Sequence, residues 1–308
     1  NATPIDISLL MQNSSPSSDD YYPTVVITAL LKILKDNSLV AHHTAVIQTI
    51  IRIYQTLGIS CIGFLPHIVP AFLYAIVTCQ QSLLDYYFQQ LGVLISIVKQ
   101  HIRPFAENIY KVILDFLPNP KLQFTIISVI ESCCEALDGE FKVFVPETLT
   151  YFLNILETDK TSNRRISKKV LECLIIFGAT LEDNFYLILP TLIRTAEFSP
   201  NVLKKEAIIT IGKLSRYISL SDTSTRLVQT SLRLLNTKDH IIIDATMNLL
   251  CLLVLQMRTN FMIYVASVNQ VLVRNNIVHK AYDQLIGKLM NKEEFPKTLI
   301  WGDDNTEE

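Results

Sequence analysis

The sequence contains little glycine, a single tryptophan and almost no net charge. Among its 308 residues are 8 glycines and 1 tryptophan, and the formal net charge at pH 7 is -2. So few glycines disfavour folds that need many tight turns or glycine-rich phosphate loops. The near-neutral charge provides no general attraction to nucleic acid or anionic lipid, so we expect no nucleic-acid partner.

Motifs for catalysis and metal binding are also absent from the sequence. There is no GxGxxG, GxxxxGK[S/T], GxSxG or HExxH motif, and no kinase catalytic-loop motif. The six cysteines lie in apolar runs without CxxC spacing, which predicts buried, reduced thiols in a cytoplasmic protein. His42 and His43 lack a third ligand at suitable spacing, and His67 in a proline turn is more typical of a capping residue. We therefore expect no catalytic residue, no metal site and no cofactor.

Apolar residues, in contrast, are abundant. They make up 49% of the chain, and the mean hydropathy is +0.31. No Asp, Glu, Lys or Arg occurs between Ile53 and Leu84, a window long enough to cross a bilayer. However, Pro66 and Pro70 interrupt it, and no flanking basic cluster sets an orientation. We expect no transmembrane segment; a polytopic membrane protein is the rival interpretation, which expression without detergent tests.

A repeat of about forty residues explains the apolar runs. Proline recurs at positions 23, 66, 104, 146 and 190, in YYPTVVITAL, FLPHIVPAFL, IRPFAENIYKVIL, FVPETLTYFL and LILPTLIRTA. The steps are 43, 38, 42 and 44 residues, and two further steps of 38 reach Val228 and Ala266 in segments with the same apolar spacing. Proline is favoured in the first helical turn, so each proline predicts the start of a helix, here termed helix B.

A second helix, helix A, is predicted between these prolines. Its apolar residues recur on one helical face: Val46, Ile50, Ile53, Tyr54 and Leu57 in one repeat, and Leu91, Leu94, Ile95 and Val98 in the next. Counterparts begin near Lys121, Asn163, Asn201, Asp239 and Asn275, where Asn or Asp is a suitable N-cap.

Two helices per repeat predict an all-α fold. The expected architecture is an α-solenoid of about seven HEAT-type helix pairs, an ARM/HEAT superhelix, over residues 21–290. Residues 1–20 form a polar leader that we expect to be disordered, and residues 291–308 form an acidic tail. The chain starts at Asn rather than Met, which suggests a piece of a longer protein.

Several segments resemble the middle HEAT-repeat region of the target-of-rapamycin (TOR) Ser/Thr protein kinases. They are YYPTVVITALLKILKDNSLVAHHTAVIQTI, FLPHIVPAFL, FQQLGVLISIVKQHIRPF, GEFKVFVPETL, LIIFGATLEDNFYLILPTLI and VNQVLVRNNIVHKAYDQLI. The resemblance runs from about Tyr21 to Leu289, whereas the leader and the tail do not take part in it. It implies that the chain precedes the kinase domain of its parent.

By this resemblance, the chain is a non-catalytic scaffold in growth signalling. The implied protein partners are a second TOR chain, which makes the parent a homodimer, and a Raptor-like or Rictor-like accessory subunit. The implied location is cytoplasmic, peripheral on vacuolar, lysosomal or other endomembranes through the parent complex. The alternative is a generic HEAT-repeat transport or phosphatase scaffold that binds protein cargo.

Three sets of residues are candidates for partner binding. The segment NRRISKK and the next helix A bring together six cations: Arg164, Arg165, Lys168, Lys169, Lys204 and Lys205. They form either a docking patch for an acidic segment or a solvated edge. Among Tyr21, Tyr22, Tyr86, Tyr87 and Phe88, one Tyr of each pair should face outward. Trp301, in the acidic tail, either packs on the last repeat or belongs to a docking segment.

Overall fold

The computed structural model describes residues 21–161 and 163–291, and all regular structure in these ranges is helical. The predictions for residues 1–20 and for the tail after residue 291 lie outside the described residues. Contacts within the chain divide it into two compact units, of which the first ends at Phe144 and the second begins at Val145.

The first unit contains six α-helices in its described part: α1 (Tyr21–Lys35), α2 (Val40–Leu57), α3 (Leu65–Thr78), α4 (Leu84–Val98), α5 (Ala106–Phe116) and α6 (Gln123–Leu137). Odd-numbered helices are the predicted B helices, and even-numbered helices are the predicted A helices. Within this unit α2 packs on α4 and α4 on α6, while α1 packs on α3 and α3 on α5.

The second unit repeats the arrangement with eight described α-helices: α7 (Val145–Thr158), α8 (Arg165–Phe177), α9 (Phe185–Phe198), α10 (Asn201–Leu214), α11 (Ser224–Leu234), α12 (His240–Met257), α13 (Met262–Arg274) and α14 (Lys280–Met290). The A helices α8, α10, α12 and α14 pack in sequence, as do the B helices α7, α9, α11 and α13. Each unit is therefore a double row of helices with the core between the rows, which confirms the predicted HEAT-type pairs.

Five of the six links from helix A to helix B in the described residues share one backbone conformation, and the link from α10 to α11, which begins at Ser215 with a φ of -61°, is the exception. Seven-residue 3-10 segments cover Gly58–Phe64, Lys99–Phe105, Asp138–Phe144 and Gly178–Asn184, and a shorter one covers Arg258–Phe261. The first residue of each has a φ near +50°, namely Gly58, Lys99, Asp138, Gly178 and Arg258. In Lys99, for example, φ is 49° and ψ is -129°, and the backbone N–H donates to the carbonyl of Ile95. This turn ends helix A and redirects the chain into helix B.

The predicted apolar face of helix A is largely confirmed. Leu91, Leu94, Ile95 and Val98 in α4 are at most 1% exposed, and Val46, Ile50 and Tyr54 in α2 are buried. The prediction was wrong for Leu57, which is 39% exposed. Leu57 is the last residue of α2, where the chain turns at Gly58 and leaves the helix–helix contact. Ile47 and Ile51 are buried instead, because α2 contacts both α1 and α4.

The proline positions are confirmed in part. Pro23, Pro66 and Pro146 lie in the first turns of α1, α3 and α7, and Pro104 lies in the link just before α5. Pro190 was wrongly placed, because it is the sixth residue of α9. Tyr186 occupies the position of Pro66, so that Pro190 corresponds to the internal Pro70 of α3. The structural repeat from Val145 to Phe185 is therefore 40 residues, and not the 44 between the prolines.

The predicted N-caps have mixed outcomes. Asp239 caps α12, since its carboxylate accepts a hydrogen bond from the Ile241 backbone N–H at 3.0 Å. Asn275 was a wrong choice, because it is the C-cap of α13. Helix α14 begins after His279, whose Nδ1 accepts from the Tyr282 N–H at 3.2 Å. Residues 275–279 therefore form a longer turn between α13 and α14.

Three stretches are long and apolar enough to cross a membrane, by length and composition alone: Val40–Thr78, Arg165–Phe198 and His240–Arg274. Each consists of a helix A, a link and a helix B, and not of one continuous helix. Their most apolar windows are 50%, 50% and 56% buried inside the structure, so many of the apolar side chains have protein neighbours. The absence of a membrane span stays a prediction.

Candidate functional site: cationic helix ends and an arginine ladder

The basic cluster lies where α8 and α10 begin. Arg165 is the first residue of α8, and Arg164 is its N-cap residue with a left-handed backbone (φ 46°) and no side-chain capping bond. Lys168 and Lys169 follow in the first helical turns and are half-buried, whereas Arg165 is exposed. A positive charge near a helix N-terminus is disfavoured by a few tenths of a kcal/mol. This placement therefore costs stability, which is consistent with a role in binding.

Asp159 positions the turn that carries the cluster. Its buried carboxylate accepts hydrogen bonds from the N–H and Oγ1 of Thr161 and from the N–H and Oγ of Ser167, at 2.6 to 3.2 Å. Burial alone would raise the pKa of Asp159, but the hydrogen bonds from Ser167 and Thr161 outweigh it and hold the pKa below its usual range. An ionised Asp159 therefore ties the end of α7 to the first turn of α8.

Lys204 and Lys205 lie in the first turns of the neighbouring helix α10, as the sequence predicted, and both are half-buried. An ion pair between Lys168 Nζ and Glu206 Oε1 at 3.5 Å links the two helices. This pair compensates one of the six predicted positive charges, a detail that the spacing of the basic residues did not reveal. The structure thus brings the predicted cations onto adjacent helices, with a lower net charge than their number implies.

The start of α10 is also aligned with the start of α12. Asn201 Nδ2 donates to the carboxylate of Asp239 at 3.0 Å. The N-termini of three successive A helices therefore lie along one edge of the second unit. Exposed apolar side chains lie at the same turns, among them Val202 and Ile241.

The aromatic candidates behave as predicted for the first pair. Tyr22 is 69% exposed, while Tyr21 is half-buried beside it. In the second set Tyr87 and Phe88 are buried and Tyr86 is half-buried, so only Tyr22 is a clear outward-facing anchor. Trp301 lies outside the described residues.

A ladder of ion pairs along the B helices escaped sequence reasoning. Arg194 on α9 donates to Glu157 on α7 at 2.6 Å, and Arg233 on α11 donates to Glu197 on α9 at 3.1 Å. The two glutamates are 40 residues apart and the two arginines 39 apart, so both pairs occupy equivalent positions in successive repeats. Recurrence of charged residues at the repeat period was the signal that could have revealed them.

The cysteines and histidines provide no reactive group or metal site in the described part of the chain. Five of the six cysteines are buried, and burial raises the pKa of Cys133, Cys134 and Cys251 to about 12. The predicted burial of the thiols is thus confirmed, except for the half-buried Cys79. His43 is buried with Nε2 at 3.1 Å from the carbonyls of Ile33 and Asp36, a capping role for α1. No cluster of three metal-ligating side chains occurs in residues 21–161 and 163–291.

The class of protein follows from the fold. A solved structure of Kap95p with RanGDP matches with a TM-score of 0.66 at 15% identity, over 87% of this chain and 35% of that chain. At this identity the likeness is one of fold alone. Together with the two rows of paired helices, it defines an α-solenoid of the HEAT type.

Sequence comparison identifies the family. The model of the "Serine/threonine-protein kinase mTOR domain" matches residues 1–99. "Serine/threonine-protein kinase TOR2" of Saccharomyces cerevisiae is 53% identical over 305 residues, which is 99% of this chain and 12% of that protein. "Serine/threonine-protein kinase tor1" of Schizosaccharomyces pombe is 34% identical over 288 residues, or 92% of this chain and 12% of that protein. The chain thus corresponds to a HEAT-repeat region of the TOR kinases, and it spans 12% of the length of these two relatives.

Proposed function

We propose that this chain is a scaffold segment of a TOR-type Ser/Thr kinase. In this proposal it carries no catalytic group; it supports the pairing of two kinase chains and docks a Raptor-like or Rictor-like accessory subunit in growth signalling. The parent complex would be cytoplasmic and peripheral on endomembranes such as the vacuole or lysosome. The two relatives described above are Ser/Thr protein kinases by name, and this chain spans 12% of the length of each.

The observation that carries the proposal is the edge formed by the N-termini of α8, α10 and α12. Cations gather there although the helix dipoles disfavour them, and the Lys168–Glu206 and Asn201–Asp239 contacts link the starts of the three helices. Adjacent repeats can present such side chains over a large area, as protein docking requires. Kap95p shares only the fold, so the resemblance adds no support for cargo transport.

Reversal of charge at the cluster tests the proposal. We expect glutamate at Arg164, Arg165, Lys168 and Lys169 of the full-length parent kinase to weaken accessory-subunit binding or self-association by about tenfold or more. Helicity should be unchanged, because these side chains are not part of the apolar core and a partly exposed ion pair such as Lys168–Glu206 contributes about 1 kcal/mol or less. Co-purification with the accessory subunit and sedimentation analysis measure the two effects.

A matched control reverses four exposed cations of the first unit, Lys32, Lys35, Arg52 and Lys111. It makes the same change in net charge, and we expect association to be retained. If the cluster variant associates like the parent, the cluster serves solubility only and the docking proposal is wrong at this site.

A further inference from the structure

A groove of about 420 Å³ lies between the B helices α9 and α11 of the second unit. From α9 it is lined by Pro190, Arg194 and Phe198, which follow one another at four-residue steps along the helix. From α11 it is lined by Arg226 and Arg233, seven residues apart and so on the same helical face. We infer that this groove binds an acidic peptide segment, whose carboxylate or phosphate groups are held by the three arginines.

Two of the arginines are held in place by carboxylates at the side of the groove. Arg194 is fixed by Glu157 at 2.6 Å, and Arg233 is fixed by both carboxylate oxygens of Glu197, at 3.1 and 3.3 Å. Thr230 Oγ1 donates a further hydrogen bond of 2.7 Å to Glu197. These contacts restrain the long arginine side chains before any ligand arrives, which lowers the entropy lost on binding.

The guanidinium groups are nevertheless accessible. The side chains of Arg194 and Arg233 are 57% and 68% exposed, whereas the Glu197 side chain is only 12% exposed. A guanidinium has five N–H donors, and one carboxylate uses at most two of them in a bidentate pair. Donors therefore remain available to a ligand, and the carboxylate of Glu197 is covered by its own partners.

The charge balance of the groove favours an anionic ligand. Its lining contains Arg194, Arg226 and Arg233 and one acidic residue, Glu197, while Glu157 pairs with Arg194 from the side, so three positive charges face two negative ones. Arginine clusters are a recurrent way to recognise acidic and phosphorylated motifs, because the planar guanidinium matches carboxylate and phosphate oxygens. The groove therefore keeps a net positive charge and offers guanidinium donors to an anionic ligand.

The shape of the groove favours a peptide over a single ion. Arg226 and Arg233 are separated by seven residues of α-helix, or roughly 10 Å along its axis. Residues three apart in an extended or polyproline-type chain are separated by a similar distance, about 9 to 10 Å. Phe198, at one end, is 77% exposed and offers an apolar contact to a neighbouring side chain of the ligand. Acidic residues at every third position would match this spacing.

Binding of a labelled peptide to the 308-residue chain tests the inference. The probe is a fluorescein-labelled peptide with glutamate at every third position, measured by fluorescence anisotropy, with phosphoserine and glutamine versions for comparison. We expect Arg226→Glu to weaken binding of the glutamate or the phosphoserine peptide at least about tenfold, and Arg226→Lys about threefold, because lysine loses the bidentate geometry. Preference for the phosphoserine version would assign the ligand to phosphorylated segments.

The matched control is Arg216→Glu, since Arg216 is exposed in the same unit and does not line the groove. It should change the affinity less than about twofold, as expected for a charge that acts only at long range. Equal weakening by the Arg216 and Arg226 variants, or equal binding of the glutamine peptide, would overturn the inference. Arg226-dependent binding of phosphatidylserine vesicles without binding of either acidic peptide would also contradict it. The test needs no accessory subunit and is independent of the docking proposed above.

Discussion

Asp159 is a single residue on which the local structure around the basic cluster depends. We expect Asp159→Ala to lower the free energy of unfolding by about 2 kcal/mol, because it leaves the buried donors of Ser167 without an acceptor and removes the hydrogen bond from the exposed Thr161. Asp159→Asn should cost less, since an amide oxygen can still accept some of these bonds. Chemical denaturation followed by circular dichroism measures both changes.

The same residue makes stability depend on pH in a defined direction. The pKa of Asp159 is lower in the folded state than in the unfolded state. Its ionised carboxylate therefore adds its full contribution to the free energy of unfolding above the unfolded-state pKa of about 4, and this contribution is lost as the pH falls through the folded-state pKa. The stability difference between the parent and Asp159→Asn should therefore shrink as the pH falls below about 4. The control variant is Glu182→Gln, because Glu182 is an exposed carboxylate in the link between α8 and α9. A stability difference that did not change with pH would show that the ionised form of Asp159 is not the form that stabilises the fold.

The left-handed residues of the A-to-B links are a second case at the residue scale. Lys99 adopts φ 49° and ψ -129°, a conformation that favours glycine and that Gly58 adopts in the preceding repeat. We expect Lys99→Gly to stabilise the chain by about 1 kcal/mol through relief of backbone strain, as judged by its thermal unfolding midpoint. Gly58→Ala should destabilise by a similar amount, although its Cβ would meet no atom within 4 Å.

Gln100, the residue that follows Lys99, provides the control for Lys99→Gly. Gln100 has no positive φ, so Gln100→Gly should destabilise through backbone entropy alone. If Lys99→Gly also destabilised the chain, the link would not be strained at this position. Sequence alone could not predict the conformation, because Lys99 and Arg258 are not residue types that favour a positive φ.

At the scale of elements, each A helix depends on its neighbours in the stack. Leu94 is fully buried in α4, which packs on both α2 and α6. We expect Leu94→Asp to abolish cooperative folding of its repeat and of both neighbouring repeats, because a carboxylate buried without a partner costs several kcal/mol. Hydrogen exchange measured by mass spectrometry would show the loss of protection in α2, α4 and α6.

Gln48→Asp on α2 is the control, since Gln48 is exposed on a helix of the same unit. It should retain protection throughout. Retained protection in Leu94→Asp would mean that the buried face of α4 is assigned wrongly.

The helices themselves were predictable from apolar spacing, whereas their exact alignment was not. The buried face of α4 was predictable from the spacing of its apolar residues, because a helix that packs between two neighbouring helices must bury its apolar face. Pro190 misled the alignment because proline is also tolerated inside α9, at the position equivalent to Pro70 in α3. The start of α14 was missed because His279, and not Asn275, supplies the capping acceptor.

At the scale of the whole chain, the candidate sites show what a linear pattern can and cannot predict. The basic cluster was predictable, since its residues are close in sequence or one repeat apart. Its partial neutralisation by Glu206 and the arginine groove depend on which faces of successive helices meet, and charged residues on a single helix do not reveal this. Contacts one repeat apart, such as Glu197 with Arg233, become visible only once the register is known.

The central claim is that the apolar stretches are buried against neighbouring repeats and not in lipid. Expression without detergent, followed by size-exclusion chromatography with light scattering and by circular dichroism, tests this most directly. We predict a monodisperse, predominantly helical protein in the soluble fraction, although three stretches are apolar enough to cross a membrane. Recovery only from the membrane fraction, or only in detergent, would contradict the account.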